Sequence, residues 1–424
     1  MKQPTLADWL ARQEHSHPQA IDLDLTRVRE VARRLGLIPW AARAILVGGT
    51  NGKGSTASMI AALARAAQVR TGLFTSPHLR RYQERIAIDG DPVDDASLLA
   101  AFADIEVARG SISLTFFEWN SLAALWVFRR QQVELAVLEV GLGGRLDATN
   151  IVDADVAVLC SVGIDHREWL GPDRDSIGRE KAGIFRDSKP AVLASADMPE
   201  SVIKVAQDLR AQLHIVGRDY RFSGEQPWHY QSAELALSDL AAPGIAGPRQ
   251  IGNAAAAIRA LELLGVADRS RRYLPDRRSV SSAIAGLRLP GRLQTVAGQP
   301  PWLLDVAHNA DAAAVLAEHL RSMPCTGRRR VLFGLLADKD VESVTAVLEP
   351  LVDSWVLTSI ADSPRGLSHA QLRARMPEGL KIEATVSSVA AGCETLRATA
   401  APQDLLIVCG SFHMVGPALD WLGL

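Results

Sequence analysis

The stretch Gly49-Thr50-Asn51-Gly52-Lys53-Gly54-Ser55-Thr56 constrains this chain more than any other, because it crowds glycines, one lysine and hydroxyls into a single turn. An apolar, strand-like run at 44–47 precedes it, and an alanine-rich run at 58–68 reads as the helix that follows. Glycines let backbone N–H groups converge on an anion, and a helix starting there turns its positive end toward the same point. The pattern predicts a triphosphate cradle in which Lys53 offsets charge on the β/γ oxygens and Ser55 reaches Mg²⁺. The common phosphate loop requires a glycine at position 47, where Val47 stands, so this is a shorter loop type. The alternative is a strand-to-helix turn that holds nothing, which leaves a glycine-flanked lysine without a packing reason.

Short apolar runs ending in Gly, Ser or Asp recur between alanine- and leucine-rich stretches, at 135–138, 156–159 and 191–193 and again at 302–304, 331–333, 355–357 and 405–408. That alternation predicts an α/β fold built on mostly parallel sheets. A chain of 424 residues is long for one core. The Pro290-Gly291 punctuator suggests a cut that gives an N-terminal P-loop domain over 1–289, a linker at 290–296 and a smaller, Rossmann-like α/β domain over 297–424. Between about 217 and 248 the periodicity weakens, which predicts a β-rich excursion.

Lysine plus arginine number 46 against 48 acids, a formal net charge of -2. No strong field would recruit nucleic acid or an anionic membrane, so small charged metabolites are the natural partners. Cys160, Cys325, Cys393 and Cys409 are scattered without a C-x-x-C pair, as reduced core thiols would be. The first residues lack the apolar centre of a signal peptide and no run approaches a membrane span, so the expectation is a soluble, cytoplasmic protein.

Glu139 ends the run at 135–138 and opens the flexible stretch Val140-Gly141-Leu142-Gly143-Gly144-Arg145-Leu146-Asp147. An acid at the carboxyl end of a buried strand stands where ligands bind in open α/β sheets, and a metal is the natural partner for it. Other candidates each have a duller alternative: Ser76 lies in a Ser-Pro turn, His166 is an isolated histidine, and Lys181 sits in the charged run Gly178-Arg179-Glu180-Lys181. Asn253 could cap a helix over 254–264, Arg292 could be an ordinary linker cation and Asp305 a loop acid. Phe117 and Trp119 could be core residues behind a Thr115–Glu118 capping box.

Read in order, these segments, with Ser76-Pro77-His78-Leu79, Glu84-Arg85-Ile86, Asp165-His166, Pro290-Gly291-Arg292, Asp305-Val306-Ala307-His308-Asn309, Asp338-Lys339-Asp340 and Gly410-Ser411, give the chain its likeness. It resembles the Mur ligase superfamily of ATP-dependent, amide-forming enzymes, and within it the folylpolyglutamate synthases, more particularly the bifunctional dihydrofolate synthase/folylpolyglutamate synthases of bacteria. The resemblance runs nearly end to end. It implies ATP and two Mg²⁺ ions as cofactors, and 7,8-dihydropteroate, reduced folates and L-glutamate as substrates of a monomer acting through an acyl phosphate.

Carried onto this sequence, the resemblance gives the triphosphate to Gly49, Thr50, Asn51, Gly52, Lys53, Gly54 and Ser55. Ser55, Ser76 and Glu139 would hold the first metal, and His166 and a carbamylated Lys181 the second. Asn253, Arg292 and Asp305 would grip ATP, drawing two domains over one nucleotide. Asp22, Leu23, Asp24 and Leu25, then Phe117, Glu118, Trp119 and Asn120, then Leu146, Asp147 and Ala148 would bind the pterin, and His308 and Ser411 the incoming glutamate. Lys53, His166, Lys181 and Arg292 would carry the catalysis. Val306 and Ala310 replace the family's usual glycine and proline. A muramyl peptide ligase shares the loop and the two-metal arrangement and stands as the alternative enzyme. A nucleotide-switched regulator is the alternative without ligase chemistry, although no asparagine here is followed by lysine, as a guanine-reading motif needs.

Overall fold

The computed structural model describes residues 4–268, 272–363 and 365–424. The chain divides into two compact units, one comprising the chain up to Gly244 together with Ile251–Leu287, the other Ile245–Gln250 with Arg288–Leu424.

In the first unit β1 (Arg43–Gly48), β2 (Thr71–Phe74), β3 (Ile86–Ile88), β4 (Asp91–Pro92), β5 (Leu135–Glu139), β6 (Val156–Leu159), β7 (Pro190–Leu193) and β8 (Gln212–Ile215) form one sheet in the order β4-β3-β2-β5-β1-β6-β7-β8. Six strands run parallel, while β3 and β4 turn back as an antiparallel edge. Both faces are covered, so β5 and β6 are apolar throughout except for Glu139 at the end of β5. The helices α1 (Leu6–Glu14), α2 (Thr26–Arg34), α3 (Lys53–Ala66), α4 (Asp95–Arg109) and α5 (Phe116–Arg130) supply much of that cover. A Cβ on Gly72 would fall 2.6 Å from the Phe128 ring, so the glycine lets α5 lie directly on β2.

The helix after the phosphate loop begins at Lys53, not near 58 as the alanine pattern suggests. Gly52, at φ 90°, is its left-handed N-cap, so one glycine completes the turn and the lysine and both hydroxyls already belong to the first helical turn. The stretch of weak periodicity holds a separate antiparallel sheet, β9 (Tyr220–Gly224), β10 (Trp228–Ser232) and β11 (Ala236–Leu240). Tyr230 and Ser232 donate to the two oxygens of Glu262, at 2.7 and 2.6 Å, tying this sheet to the helix Gln250–Ala267. Because that helix starts at Gln250, Asn253 lies within it and is not its cap.

In the second unit β12 (Gln294–Val296), β13 (Trp302–Leu304), β14 (Arg329–Phe333), β15 (Ser354–Thr358), β16 (Ile382–Val386) and β17 (Leu405–Cys409) pair in the order β12-β13-β17-β14-β15-β16. All but the edge strand β12 are parallel, which makes this a second α/β domain of Rossmann-like type. Leu303, Phe333, Trp355, Leu357 and Ile407 lie in its core, and the buried Arg330 is paired with Glu383 and donates to Thr399. All four cysteines are free. Among the described residues no helix is long and apolar enough to cross a membrane.

Candidate active site

The phosphate loop leaves the carboxyl end of β1 and is fastened to the loop after β6. Thr50 N donates to Ser161 O at 2.9 Å, Asn51 N to Ser161 Oγ at 3.0 Å, and Gly163 N to Thr50 Oγ1 at 2.9 Å. Gly49 has φ 145°, and a Cβ there would stand 3.0 Å from Cys160 Cβ and 3.1 Å from the Ser161 nitrogen, so only glycine fits. The Cys160 thiol supports the loop from below, donating to Thr56 Oγ1 at 3.4 Å, and burial pushes its pKa up to about 11. Asn253 reaches the same loop: its Oδ1 is 3.1 Å from where a Gly52 Cβ would be.

Two amines converge on one carbonyl. Lys53 Nζ donates to Gly49 O at 3.0 Å and Thr50 O at 3.1 Å, and Lys181 Nζ donates to the same Gly49 O at 3.1 Å. Lys181 is 5 % exposed, and its pKa falls to about 7, first through burial and then through the neighbouring Lys53 charge, with Asp165 and Asp147 opposing. A lysine in this state is part neutral amine at physiological pH, the form that acts as a nucleophile.

Glu139, 4 % exposed at the end of β5, accepts from Ser76 N at 2.9 Å through Oε2. Both its oxygens lie 3.5 Å from the position of a Gly54 Cβ, so the absence of a side chain there brings the first turn of α3, with Ser55, up to the acid. Hydroxyls and one carboxylate are hard oxygen donors that suit Mg²⁺. Among the described residues no group of three or more His, Cys, Asp and Glu could hold a metal alone, so phosphate oxygens and water would fill the remaining positions. His166, at φ 52°, begins the short helix Arg167–Leu170, and its N–H donates to Asp165 Oδ1 at 2.8 Å.

The three segments expected at the pterin differ in what they offer. Phe117 covers the loop after Glu139, its ring 2.5 Å from where a Gly141 Cβ would stand and 5.8 Å from the Phe74 ring. Trp119 instead lies in the core against Trp9 and Phe102, with the Arg109 guanidinium over its ring, and Thr115 and Glu118 form the capping box. Asn120 is buried and accepts from the Tyr82 hydroxyl. Asp147 spends both oxygens on its own loop, accepting from Gly141 N, Leu142 N and Thr149 N, and burial raises its pKa. Leu146 flanks it half-buried and Ala148 is buried. Leu23 and Leu25 are half-buried, and Asp22 and Asp24 gather with Glu118 around Arg27.

The model of the Mur ligase middle domain matches residues 47–261, and that of the Mur ligase glutamate ligase domain matches 291–412. A dihydrofolate synthase/folylpolyglutamate synthase of Escherichia coli (strain K12) is 42% identical over 416 residues, covering 98% of this chain and 95% of that one. The chain belongs to the dihydrofolate synthase/folylpolyglutamate synthase family. Among solved members of that family, E. coli FolC in complex with DHPP and ADP has a TM-score of 0.92 at 41% identity, covering 99% of this chain and 98% of that one. A bifunctional folylpolyglutamate synthase/dihydrofolate synthase with Mn, AMPPNP and L-glutamate bound has a TM-score of 0.90 at 41% identity over 100% of both chains.

This folylpolyglutamate synthase relative carries its other candidate residues in the second unit. Asp305 accepts from Leu293 N and Ala307 N, each at 2.8 Å, and burial outweighs these bonds in raising its pKa. Its grip orders the loop although Val306 and Ala310 supply neither glycine nor proline. The Arg292 guanidinium lies 5.3 Å from the Phe412 ring centroid, and the His308 ring is 6.5 Å from that same ring. Ser411 caps the helix Phe412–Leu422. Sequence reasoning passed over Ser161, which follows the apolar run of β6 and could have been found by asking which side chains brace the phosphate loop, and it gave Asp165 no role of its own beside His166. It also passed over His17 and Arg27, which carry no motif signal.

Proposed function

We propose that the chain is an ATP-dependent ligase that joins L-glutamate to 7,8-dihydropteroate and adds further glutamates to reduced folates. The observation that carries this reading is the convergence of the glycine loop, Lys53, Lys181 and Glu139 at the carboxyl ends of β1 and β5, in a chain related end to end to enzymes of that name.

Gly49 to Ser55 would wrap the triphosphate, with backbone N–H groups and Lys53 balancing charge as the substrate carboxylate takes the γ-phosphoryl group. The product is an acyl phosphate, which the glutamate amine attacks, and inorganic phosphate leaves from the tetrahedral intermediate. No protein nucleophile is needed. Magnesium would supply charge neutralisation and in-line alignment of the phosphates. Ser55, Ser76 and Glu139 fit one ion. His166 and Lys181 would serve a second once the neutral Lys181 amine has attacked CO₂, forming an N–C bond and releasing one proton to leave a carbamate. Burial of Lys181 beside Lys53 supports that step, because it favours the uncharged amine.

Asn253, Arg292 and Asp305 would complete ATP recognition, and His308 and Ser411 would meet the glutamate. The pterin would lie against Asp22 to Leu25 and Phe117, with Asp147 shaping the loop that carries Leu146 and Ala148. We assign the ATP and pterin functions to 1–289 and the glutamate-ligase part to 297–424, with the joining stretch 290–296 contributing the edge strand β12 to the second sheet, in a cytoplasmic monomer without nucleic-acid partners. Purified protein with MgATP and L-glutamate should add one glutamyl mass to dihydropteroate and further units to tetrahydrofolate, and should leave a UDP-muramyl acceptor unchanged. Absence of the mass gain on both pterins, read by mass spectrometry, would overturn the assignment.

A further inference from the structure

We propose that Arg27, assisted by His17, is a positioning residue that presents one oxygen of Asp22 to the amino-pyrimidine edge of the pterin. The inference rests on the pterin reading above. Arg27 stands in the first turn of α2 and joins two segments distant in sequence, both assigned to that substrate. Its Nη1 donates to Asp22 Oδ2 at 2.6 Å, its Nη2 to Asp22 O at 3.2 Å, and Nη2 lies 3.3 Å from Glu118 Oε1. Asp24 Oδ2 is 3.7 Å from Nη1. His17 grips the same Asp22 oxygen through Nε2 at 3.1 Å, and its Nδ1 is 2.9 Å from Ser113 Oγ. The residue before it, Ser16, donates to Leu114 O and accepts from Trp119 Nε1 at 2.9 Å, so the segment leading to Asp22 is fastened to the start of α5.

Three features separate this cluster from a structural ion-pair network. Both grips on the Asp22 side chain fall on Oδ2, and Oδ1 accepts no hydrogen bond among the described residues, on a side chain that is 32% exposed. Three carboxylates face one permanent cation, which leaves an excess of acceptors for a donor-rich heterocycle such as a 2-amino-4-oxopterin. Arg27 Nε is buried without a hydrogen-bond partner among the described residues, so the guanidinium is not fully spent within the cluster. A guanidinium suits this task better than an ammonium because its planar fork can address two carboxylates at once.

The test compares wild type, Arg27→Ala and Arg27→Lys for steady-state kinetics and for binding of dihydropteroate and its 2-desamino analogue. Loss of the charged donor that fixes the Asp22 acceptor should raise KM for dihydropteroate about tenfold or more in Arg27→Ala, with KM for ATP and kcat at saturation within about twofold. Wild type should prefer dihydropteroate over the desamino analogue, Arg27→Ala should lose that preference, and Arg27→Lys should regain part of it. An unchanged pterin KM, a preserved preference, or an equal loss toward ATP would overturn the inference. If Arg27→Ala is insoluble, Arg27→Gln is read the same way, and failure of both to fold marks Arg27 as structural and also overturns it. Wild-type protein that binds neither pterin would instead remove the pterin reading itself.

Discussion

Lys181 shows how much one side chain can owe to its surroundings. In sequence it belongs to a charged run and reads as solvated, yet the backbone closes over it: a Cβ on Gly144 would stand 2.7 Å from the Lys181 carbonyl oxygen, so the glycine-rich loop after Glu139 exists partly to admit this helix. The glycines were legible and the burial was not, because burial comes from a contact between segments far apart in the chain. The depressed pKa has a definite sign. An unfolded lysine keeps its proton to about 10.5 and the folded one loses it near 7, so between those values the unfolded state binds more protons and stability rises with pH. Below about 7 the penalty of the buried charge is fully present. Lys181→Met should therefore flatten the stability increase between pH 7 and 10 in denaturant titrations. With ¹³C-bicarbonate at pH 8, wild-type protein should show a carbamate carbon resonance that Lys181→Met lacks; a wild-type spectrum without it would exclude the second-metal role given to this residue.

At the scale of elements, the loop and its helix act as one part. The sequence pattern located the cradle but placed the helix start several residues late, since Lys53-Gly54-Ser55 carries weak helix propensity and the alanine periodicity dominates the signal. What starts the helix early is the left-handed Gly52. Gly52→Ala meets two penalties there, a φ that alanine rarely adopts and a Cβ 3.1 Å from Asn253 Oδ1. It should cost about 1–2 kcal/mol of stability and weaken nucleotide binding at least tenfold by calorimetry, with far-ultraviolet dichroism unchanged. The central strands of both parallel sheets were legible because doubly covered strands must be apolar runs, whereas β8 (Gln212–Ile215) and β16 (Ile382–Val386), at the sheet edges, are only half-buried, carry polar residues and gave no such run. Trp119 was harder: an aromatic residue beside a capping box reads equally as a stacking face or as core, and only its packing on Trp9 and Phe102 decides.

For the whole molecule, two α/β units of unequal size and a nearly neutral charge balance describe a carrier of small-molecule chemistry. The second unit's candidate residues form a local group, Arg292 and His308 around Phe412 with Asp305 ordering the loop between, although Val306 and Ala310 depart from the family pattern. That order was not legible, because it rests on two backbone bonds to one buried acid. If Arg292 assists phosphoryl transfer, Arg292→Ala should lower kcat about a hundredfold while the dissociation constant for an ATP analogue changes only a few-fold. Equal turnover in rapid-quench and steady-state assays would remove Arg292 from the machinery.

Beneath the phosphate loop sits Cys160, buried and holding its proton well above neutrality. A thiol in that state is nearly inert to alkylating and oxidising agents, because the thiolate is the reactive species. Reagent can reach it only when the floor of the cradle breathes open, so its labelling rate is a built-in clock for that local event. A ligand that clamps the turn from above should slow the clock, so the labelling rate of this native thiol would gauge nucleotide occupancy without an engineered cysteine.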